Sequence, residues 1–270
     1  MISGHYIANL FRAHRGLFAF AFVLVGLLQV LIIVLVVGAD LLGLIEAFFR
    51  QLPPQVQYVI GEQFLAQFSV NGAVAFGYAH PVVIVMMCFV AILVPARHIA
   101  GEVEMGTLEL LFALPVRRPT ITLSLWLASG MALWVLVMGC WVGSAVGSVF
   151  YPETRTMPLI KLVEVGFNLW LLMAAISSYT LLIASYVREG GKATLRAAGL
   201  TLFFYFLNIA VVMSPDLRFL RPFSVFHYHF PQLLMEDGSL LIRNGAVLGG
   251  IILICGVLAV RRVSRRDIPG

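Results

Sequence analysis

The sequence predicts an all-α integral membrane protein with six transmembrane helices. Of its 270 residues, 61% are hydrophobic and only 11% are charged, and the mean hydropathy is +0.98, which lies outside the range of soluble domains. The apolar residues form long runs with basic residues at their ends, as in membrane-anchored helices. We predict one transmembrane domain, residues 1–270, with spans at about 17–38, 78–96, 121–150, 159–187, 197–213 and 245–260.

The N-terminal residues 1–16 mix apolar and basic side chains in an amphipathic pattern that suits the membrane surface. We therefore predict an elbow helix that leads into the first span. The run 17–38 holds 22 residues without a charge, enough to cross a hydrocarbon core of about 30 Å at roughly 1.5 Å per residue. Residues 40–79 are mixed in character and read as a loop with one or two interfacial helices.

The second span could begin as early as Val70, and His80 and Pro81 mark its entrance or a kink. In the third span, glycines recur every fourth residue. Such a small-residue stripe permits close helix approach, and we favour this packing role over the lining of a substrate path. The stripe consists of Gly139, Gly143 and Gly147. At the start of the fourth span, Lys161 and Glu164 are three residues apart and can pair on one helical face.

A charged island at 97–118 separates the second and third apolar runs. Thr107 can cap a short helix, and the helix dipole favours the negative charge of Glu109 in the first turn. Pro115 disfavours helix in the residue before it. Of the seven residues in 108–114, five are large and apolar, more than a solvated loop needs. This segment is therefore predicted to be a contact helix with a protein partner; the alternative is an amphipathic turn on the membrane surface.

The island resembles the signature of ABC type-2 permeases, the membrane subunits of ATP-driven exporters. The resemblance implies a cytoplasmic coupling helix between spans 2 and 3 that docks on a separate ABC ATPase subunit. The residues to which it assigns this ATPase coupling are Glu102, Glu104, Gly106, Thr107, Leu108, Glu109, Leu110, Leu111, Phe112, Leu114, Pro115 and Arg118.

A second stretch is similar to the segment that precedes the last span in that family. It lies in the aromatic-rich region 216–243, which is too apolar for a free loop. We expect a re-entrant or interfacial hairpin on the outer side of the membrane, before span 6. Its candidate residues are Phe223, Phe226, His227, Tyr228 and Pro231.

The distribution of Lys and Arg predicts the orientation. With both termini on one side of the six-span arrangement, that side holds twelve of the eighteen Lys and Arg residues. By the positive-inside rule, both termini and the segments 97–118 and 188–196 face the cytoplasm. A multi-pass protein of the cell inner (cytoplasmic) membrane is expected.

Other chemistries find little support. The glycines of the polar turn 188–196 invite comparison with a phosphate-binding loop, but Tyr186 and Ala193 stand where that loop needs glycine and Ser or Thr, so we expect no cofactor in this chain. The resemblance implies that ATP and magnesium are bound by the partner subunit. His227 and His229 could hold a metal, but no Cys or carboxylate cluster completes a ligand set, so no metal site is predicted. The basic residues flank apolar runs, so no nucleic acid partner follows.

The favoured function is the permease subunit of an ATP-driven ABC exporter. The middles of the spans are essentially uncharged, whereas ion-coupled carriers usually hold ionisable groups there. Six spans are few for a lone carrier, so a second permease copy or a homologous permease is expected in a dimer. The alternatives are a membrane scaffold that docks a cytoplasmic partner and, third, a membrane-embedded enzyme, although neither H-E-x-x-H nor G-x-S-x-G occurs.

Overall fold

A computed structural model describes residues 3–38, 41–51, 70–106, 118–151 and 159–265. These residues are helical with short connections, and no strand occurs among them, which confirms the predicted all-α class. Six helical stretches are long and apolar enough to cross a membrane, as predicted. They are Arg15–Val36, Val74–Glu104, Pro119–Phe150, Ile160–Tyr186, Gly190–Met213 and Leu240–Ser264.

The α-helices are numbered α1 to α10 in chain order. They are α1 (Gly4–Ala13), α2 (Arg15–Ile33), α3 (Leu41–Gln51), α4 (Val70–Gly77), α5 (Pro81–Ala96), α6 (Arg118–Phe150), α7 (Leu159–Tyr186), α8 (Gly190–Met213), α9 (Pro231–Glu236) and α10 (Leu240–Ser264). A π-helical turn, Arg97–Gly101, and a last turn, Glu102–Glu104, extend α5. Two 3-10 helices, Pro215–Phe223 and Val225–Tyr228, precede α9.

Helix α7 is the centre of the bundle. In the most apolar stretch of α7, 78% of the residues are buried, whereas the corresponding share is 17% in α8 and 22% in α10. Helix α6 is fastened to it by Trp126, whose indole N–H donates to the Ser178 hydroxyl at 2.8 Å. Gly256 of α10 lies against the same indole, where a Cβ would come within 2.2 Å of the ring. The three helices α6, α7 and α10 therefore meet around one tryptophan.

The predicted glycine stripe lies where α6 crosses α2. A Cβ on Gly143 would stand 2.2 Å from the carbonyl oxygen of Gly26, and one on Gly139 would stand 2.8 Å from that of Phe22. The two backbones can approach this closely because the stripe on α6 lacks side chains and, opposite Gly143, so does Gly26 of α2. The packing role predicted for the stripe is confirmed.

The second span is interrupted near its N-terminal end. Helix α4 stops at Gly77, and α5 begins after His80, whose ring accepts a hydrogen bond from the Val82 N–H at 3.3 Å, with Pro81 at the first helical position. Pro has no N–H to satisfy there, which is why it suits a helix start. His80 and Pro81 thus mark the kink that the sequence predicted.

Two helices extend beyond the predicted spans. The sequence predicted a polar turn at 188–196, but α8 begins within it, at Gly190; the Thr194 hydroxyl donates to the Gly190 carbonyl, and Ala193 is buried. The last helix runs from Leu240 to Ser264 and therefore continues at both ends beyond the predicted span 245–260, because polar residues can continue the backbone hydrogen-bond ladder. The predicted Lys161–Glu164 pair is present, with 3.2 Å between its charged atoms.

Candidate functional site

The structure describes only part of the predicted coupling segment. Glu102, Glu104 and Gly106 lie at its beginning, and Arg118 is the first residue of α6 at its end. The remaining candidates lie outside the described residues, so their roles stay predictions. They are Thr107, Leu108, Glu109, Leu110, Leu111, Phe112, Leu114 and Pro115.

The residues that lead into this segment form an irregular helix. Pro95 stands inside α5, and the next residues form the π-helical turn Arg97–Gly101. Such turns are rare and occur frequently at functional sites. The helix ends at Glu104, and Gly106 follows two residues later with a φ of +70°, in the left-handed region that glycine adopts without steric penalty. The chain therefore leaves the helical path within the first five residues of the predicted motif.

Glu104 joins the start of the coupling segment to α8. Its Oε2 atom accepts a hydrogen bond from the Gly190 N–H at 2.9 Å. The N-cap residue of α8, Glu189, makes no side-chain cap bond. The carboxylate of Glu104, 86 residues from Gly190, therefore accepts from the first N–H of this helix instead. A carboxylate is favoured there by the partial positive charge of the helix N-terminus. Gly190 also lies close to Gly101, where an added Cβ would stand 3.2 Å from its Cα.

The N-terminal helix contacts the same region from the other side. His14, between α1 and α2, faces His98 of the π-helical turn with 2.9 Å between the two Nε2 atoms, so one ring donates and the other accepts. Burial and the nearby Arg97 guanidinium lower the pKa of His14, which favours the neutral rings that this contact needs. Tyr6 lies near Glu102, and burial followed by this carboxylate raises the pKa of the phenol.

The far end of the coupling segment is also held by α1. The Ser3 N–H donates to the Ser124 hydroxyl of α6 at 2.8 Å, six residues after Arg118. Both ends of the 107–117 stretch therefore emerge from helices that contact α1.

The predicted outer hairpin consists of the two 3-10 helices followed by α9. Its candidate residues divide into two groups by exposure. Phe226, Tyr228 and Pro231 are buried, whereas Phe223 is 68% exposed. The Tyr228 hydroxyl donates to the Pro222 carbonyl at 3.0 Å, and the Ser224 hydroxyl reaches the Phe204 carbonyl of α8 at 2.7 Å. The segment is thus packed on the bundle through one face.

His229 fastens this segment to the break in the second span. Its Nε2 atom lies 3.3 Å from the Tyr78 carbonyl oxygen, which can only accept, so Nε2 carries the proton. Burial lowers the pKa of His229 to about 4, so the ring is neutral and its Nδ1 atom accepts. The Asn168 side-chain amide lies 2.8 Å from this Nδ1 atom, and its Nδ2 atom has no other partner. The amide orientation that fits is therefore the one in which Nδ2 donates to His229 Nδ1.

The two histidines that were weighed as metal ligands make different contacts. His227 accepts from Arg221 Nε at 3.1 Å, and burial together with Arg221 and Arg243 lowers its pKa to about 4. His229 points instead to Asn168 and Tyr78. Within the described ranges no group of three or more His, Cys, Asp and Glu residues could hold a metal ion.

An open apolar groove of about 470 Å³ runs between α5 and α8. At one end of the groove Phe226 lies against Tyr205, with 5.4 Å between the ring centroids. Leu93 near the C-terminal end of α5 and Thr194 near the N-terminal end of α8 also line it. The groove is lined by residues of the second and fifth spans and is bounded by the segment that precedes the sixth.

Several residues of these sites were missed by sequence reasoning. Gln29 is fully buried in α2 and lies against Gly77, where a Cβ would come within 1.8 Å of its amide oxygen. Asn168 is fully buried in α7. Each is an isolated amide within a long apolar run, and this signal could have identified both, because buried amides require partners. The Glu104 contact with Gly190 has no comparable signal in the sequence.

The comparison with known families agrees with this architecture. No curated protein matches the chain. A family profile described as ABC-2 family transporter protein matches residues 15–268, which include all six apolar helices, the approach to the coupling segment and the outer segment. This match covers far more than half of the sequence. The chain is therefore a multi-pass membrane protein that belongs to the ABC-2 family of transporter permeases, the membrane components of ABC transporters.

Proposed function

We propose that this chain is the permease subunit of an ATP-driven exporter, that two permease subunits form the substrate path, and that residues 102–118 couple it to separate ATPase subunits. The observation that carries the proposal is the Glu104–Gly190 contact. It joins the beginning of the coupling segment to α8, and α8 is one wall of the apolar groove. A displacement of the coupling segment would therefore reach one wall of the groove directly through α5, which continues into this segment, and the other wall through the Glu104–Gly190 contact.

The groove has the properties that a path for an amphipathic substrate requires. Its lining is almost entirely apolar, with Thr194, Thr201 and Tyr205 as the polar exceptions. It is open on one side, and α8 next to it is the least buried of the six apolar helices. A second permease copy placed against α5 and α8 would close the groove and cover the exposed face of α8, which supports a dimer across this surface.

The outer segment is proposed to close the path. Phe226 is 6% exposed and lines the outer end of the groove. Phe226→Ala should alter ATPase stimulation by amphipathic compounds while the complex remains assembled. Phe223→Ala is the matched control, because this aromatic residue of the same segment is exposed. Loss of assembly in Phe226→Ala, or equal behaviour of the two variants, would contradict this role.

The coupling proposal is tested with two neighbouring glycines. A Cβ on Gly190 would press against Gly101, whereas one on Gly191 would meet nothing within 4 Å. In the complex with its ATPase subunit, Gly190→Val should lower ATPase activity stimulated by an amphipathic compound, and Gly191→Val should not. Glu104→Ala should act like Gly190→Val, while Glu104→Gln keeps a carbonyl acceptor and should retain more activity. Full stimulation in both Gly190→Val and Glu104→Ala would refute the coupling route.

The dimer is tested by cross-linking. Val85 of α5 and Leu202 of α8 line the groove and are 67% and 54% exposed. In a chain whose native cysteines are replaced, Val85→Cys or Leu202→Cys should give a cross-linked dimer in the membrane. Ile254→Cys on α10 is the control, because this residue is equally exposed but lies away from the groove. Cross-linking at Ile254 alone would place the interface elsewhere.

A further inference from the structure

We infer that a second groove, distinct from the proposed path, binds one acyl chain of an anionic phospholipid. This groove has a volume of about 690 Å³ and lies between α1, α6, α7 and α10. Its size falls within the ~300–1,000 Å³ that small-molecule sites usually have. Three of the four tryptophans of the chain line it: Trp126, Trp134 and Trp170.

The lining of this groove is almost entirely apolar, and two of its three indole N–H groups already have partners within the protein. The Trp126 N–H is used by Ser178, and the Trp170 N–H donates to the Gly130 carbonyl at 2.8 Å. Trp134 packs edge-on against Trp170 with 5.8 Å between ring centroids. The remaining lining side chains are aliphatic or Phe11. An occupant must therefore be apolar along the length of the groove.

The length of the groove matches one leaflet. Trp126 and Trp134 are eight residues apart in α6, which corresponds to about 12 Å along the helix. Half of a hydrocarbon core of about 30 Å is ~15 Å. One end of the groove is formed by α1, through Ile7, Ala8 and Phe11. The groove thus extends from the surface helix to about the middle of the bilayer, as an acyl chain of that leaflet does.

Basic residues stand where the headgroup of such a lipid would lie. Arg12 follows Ala8 by four residues and lies on the same face of α1, and Arg15 is the first residue of α2, directly after the turn at His14. Both arginines are exposed, and in the described part of the chain neither guanidinium has an ion-pair partner. A phosphate-bearing, negatively charged headgroup would supply that partner. An apolar groove next to the two exposed cations at the α1–α2 junction favours an anionic phospholipid over a neutral one.

The tryptophans provide a direct readout of occupancy. In a Trp141→Phe background, all remaining tryptophans line the groove. The full chain is placed in phosphatidylcholine nanodiscs that contain a minor amount of brominated phosphatidylglycerol or brominated phosphatidylcholine, since bromine quenches indole fluorescence on contact. We expect stronger quenching by the anionic lipid at equal mole fraction. Because salt screens exposed charges, this preference should shrink at 0.5 M salt.

Matched variants separate the headgroup contact from the groove. Arg12→Gln should reduce the preference for phosphatidylglycerol about fivefold, whereas Arg196→Gln, at an exposed arginine on α8, should leave it unchanged. Ala8→Phe should fill the groove and reduce quenching by both lipids, and Ala13→Phe, at an exposed position of α1 outside the groove, should not.

Two results would overturn the inference. One is equal quenching of the Trp141→Phe chain by the two brominated lipids at low salt. The other is undiminished quenching in an Ala8→Phe chain that melts at the same temperature as Ala13→Phe. Because the assay uses the permease alone and measures no ATPase activity, its outcome is independent of the proposed coupling function.

Discussion

Replacing Gly143 by alanine should force the first and third spans apart. The added Cβ would stand 2.2 Å from the Gly26 carbonyl oxygen and 2.8 Å from the Gly26 Cα, more than 1 Å inside the 3.4 Å at which ordinary contact begins for the nearer atom. Both atoms belong to the backbone of α2, so no side-chain rotation can relieve the overlap. The whole helix must move, and the contacts along the crossing must loosen.

The size of the effect follows from overpacking. Such insertions typically cost about 1–3 kcal/mol, even though alanine is the better helix former by ~1 kcal/mol. At roughly 2–4 °C per kcal/mol for a chain of this size, the Tm of Gly143→Ala should fall by about 2–12 °C. The buried Cys140, three residues away in α6, becomes accessible when the bundle opens, so a thiol-reactive dye can follow the transition.

The control is Gly199→Ala in α8, where an added Cβ meets nothing within 4 Å. Its Tm should stay the same or rise, because only the helix propensity changes. If Gly143→Ala and Gly199→Ala melted at the same temperature, the close crossing of α2 and α6 would be refuted.

Three further predictions concern coupling, topology and pH. Leu111→Ala, in the predicted coupling helix, should weaken docking of the ATPase subunit by about 1–3 kcal/mol, roughly tenfold or more in affinity; unchanged binding and ATPase activity would favour an amphipathic turn on the membrane surface. A cysteine at Gly191 should react with an impermeant maleimide only from the cytoplasm and one at Ser239 only from outside, and labelling from the same side would contradict the orientation. The pKa of His229 is lowered by burial from 6.5 to about 4, so as the pH falls through this range the unfolded state binds a proton that the folded state excludes, and stability decreases. His229→Asn should therefore lose less Tm between pH 7 and pH 5 than the unchanged chain, and an equal loss would show that His229 is not the titrating group.

Features carried by local pattern could be predicted from the sequence. The six apolar helices, the Lys161–Glu164 pair and the glycine stripe each follow from spacing along one chain segment. The stripe shows the limit of this reasoning. Its spacing predicts that another helix approaches, but only the structure identifies α2 and Gly26 as the partner.

Contacts between distant segments could not be predicted. Glu104 and Gly190 are 86 residues apart, and His229 and Tyr78 are 151 apart. Nothing in the residue types alone distinguishes Gly190, which is pressed against Gly101, from the adjacent Gly191, which faces open space. The full lengths of the helices could not be predicted for a related reason. Polar residues such as Lys192 belong to α8 but lie outside its apolar run, so a span predicted from hydropathy does not include them.

The interruption of the second span has a consequence for how the chain is made. The Tyr78 carbonyl finds its hydrogen-bond donor on His229. These residues are 151 apart, and at about 5–20 residues per second the ribosome needs roughly 8–30 s to synthesise the intervening chain. Until then a newly inserted N-terminal half carries an unsatisfied backbone carbonyl at its helix break, which is unfavourable away from water. The hydrogen bonding of the second span is therefore complete only after the last third of the protein has been synthesised. We expect a truncated chain that ends before residue 229 to be degraded by the quality-control proteases of the membrane rather than to accumulate in folded form.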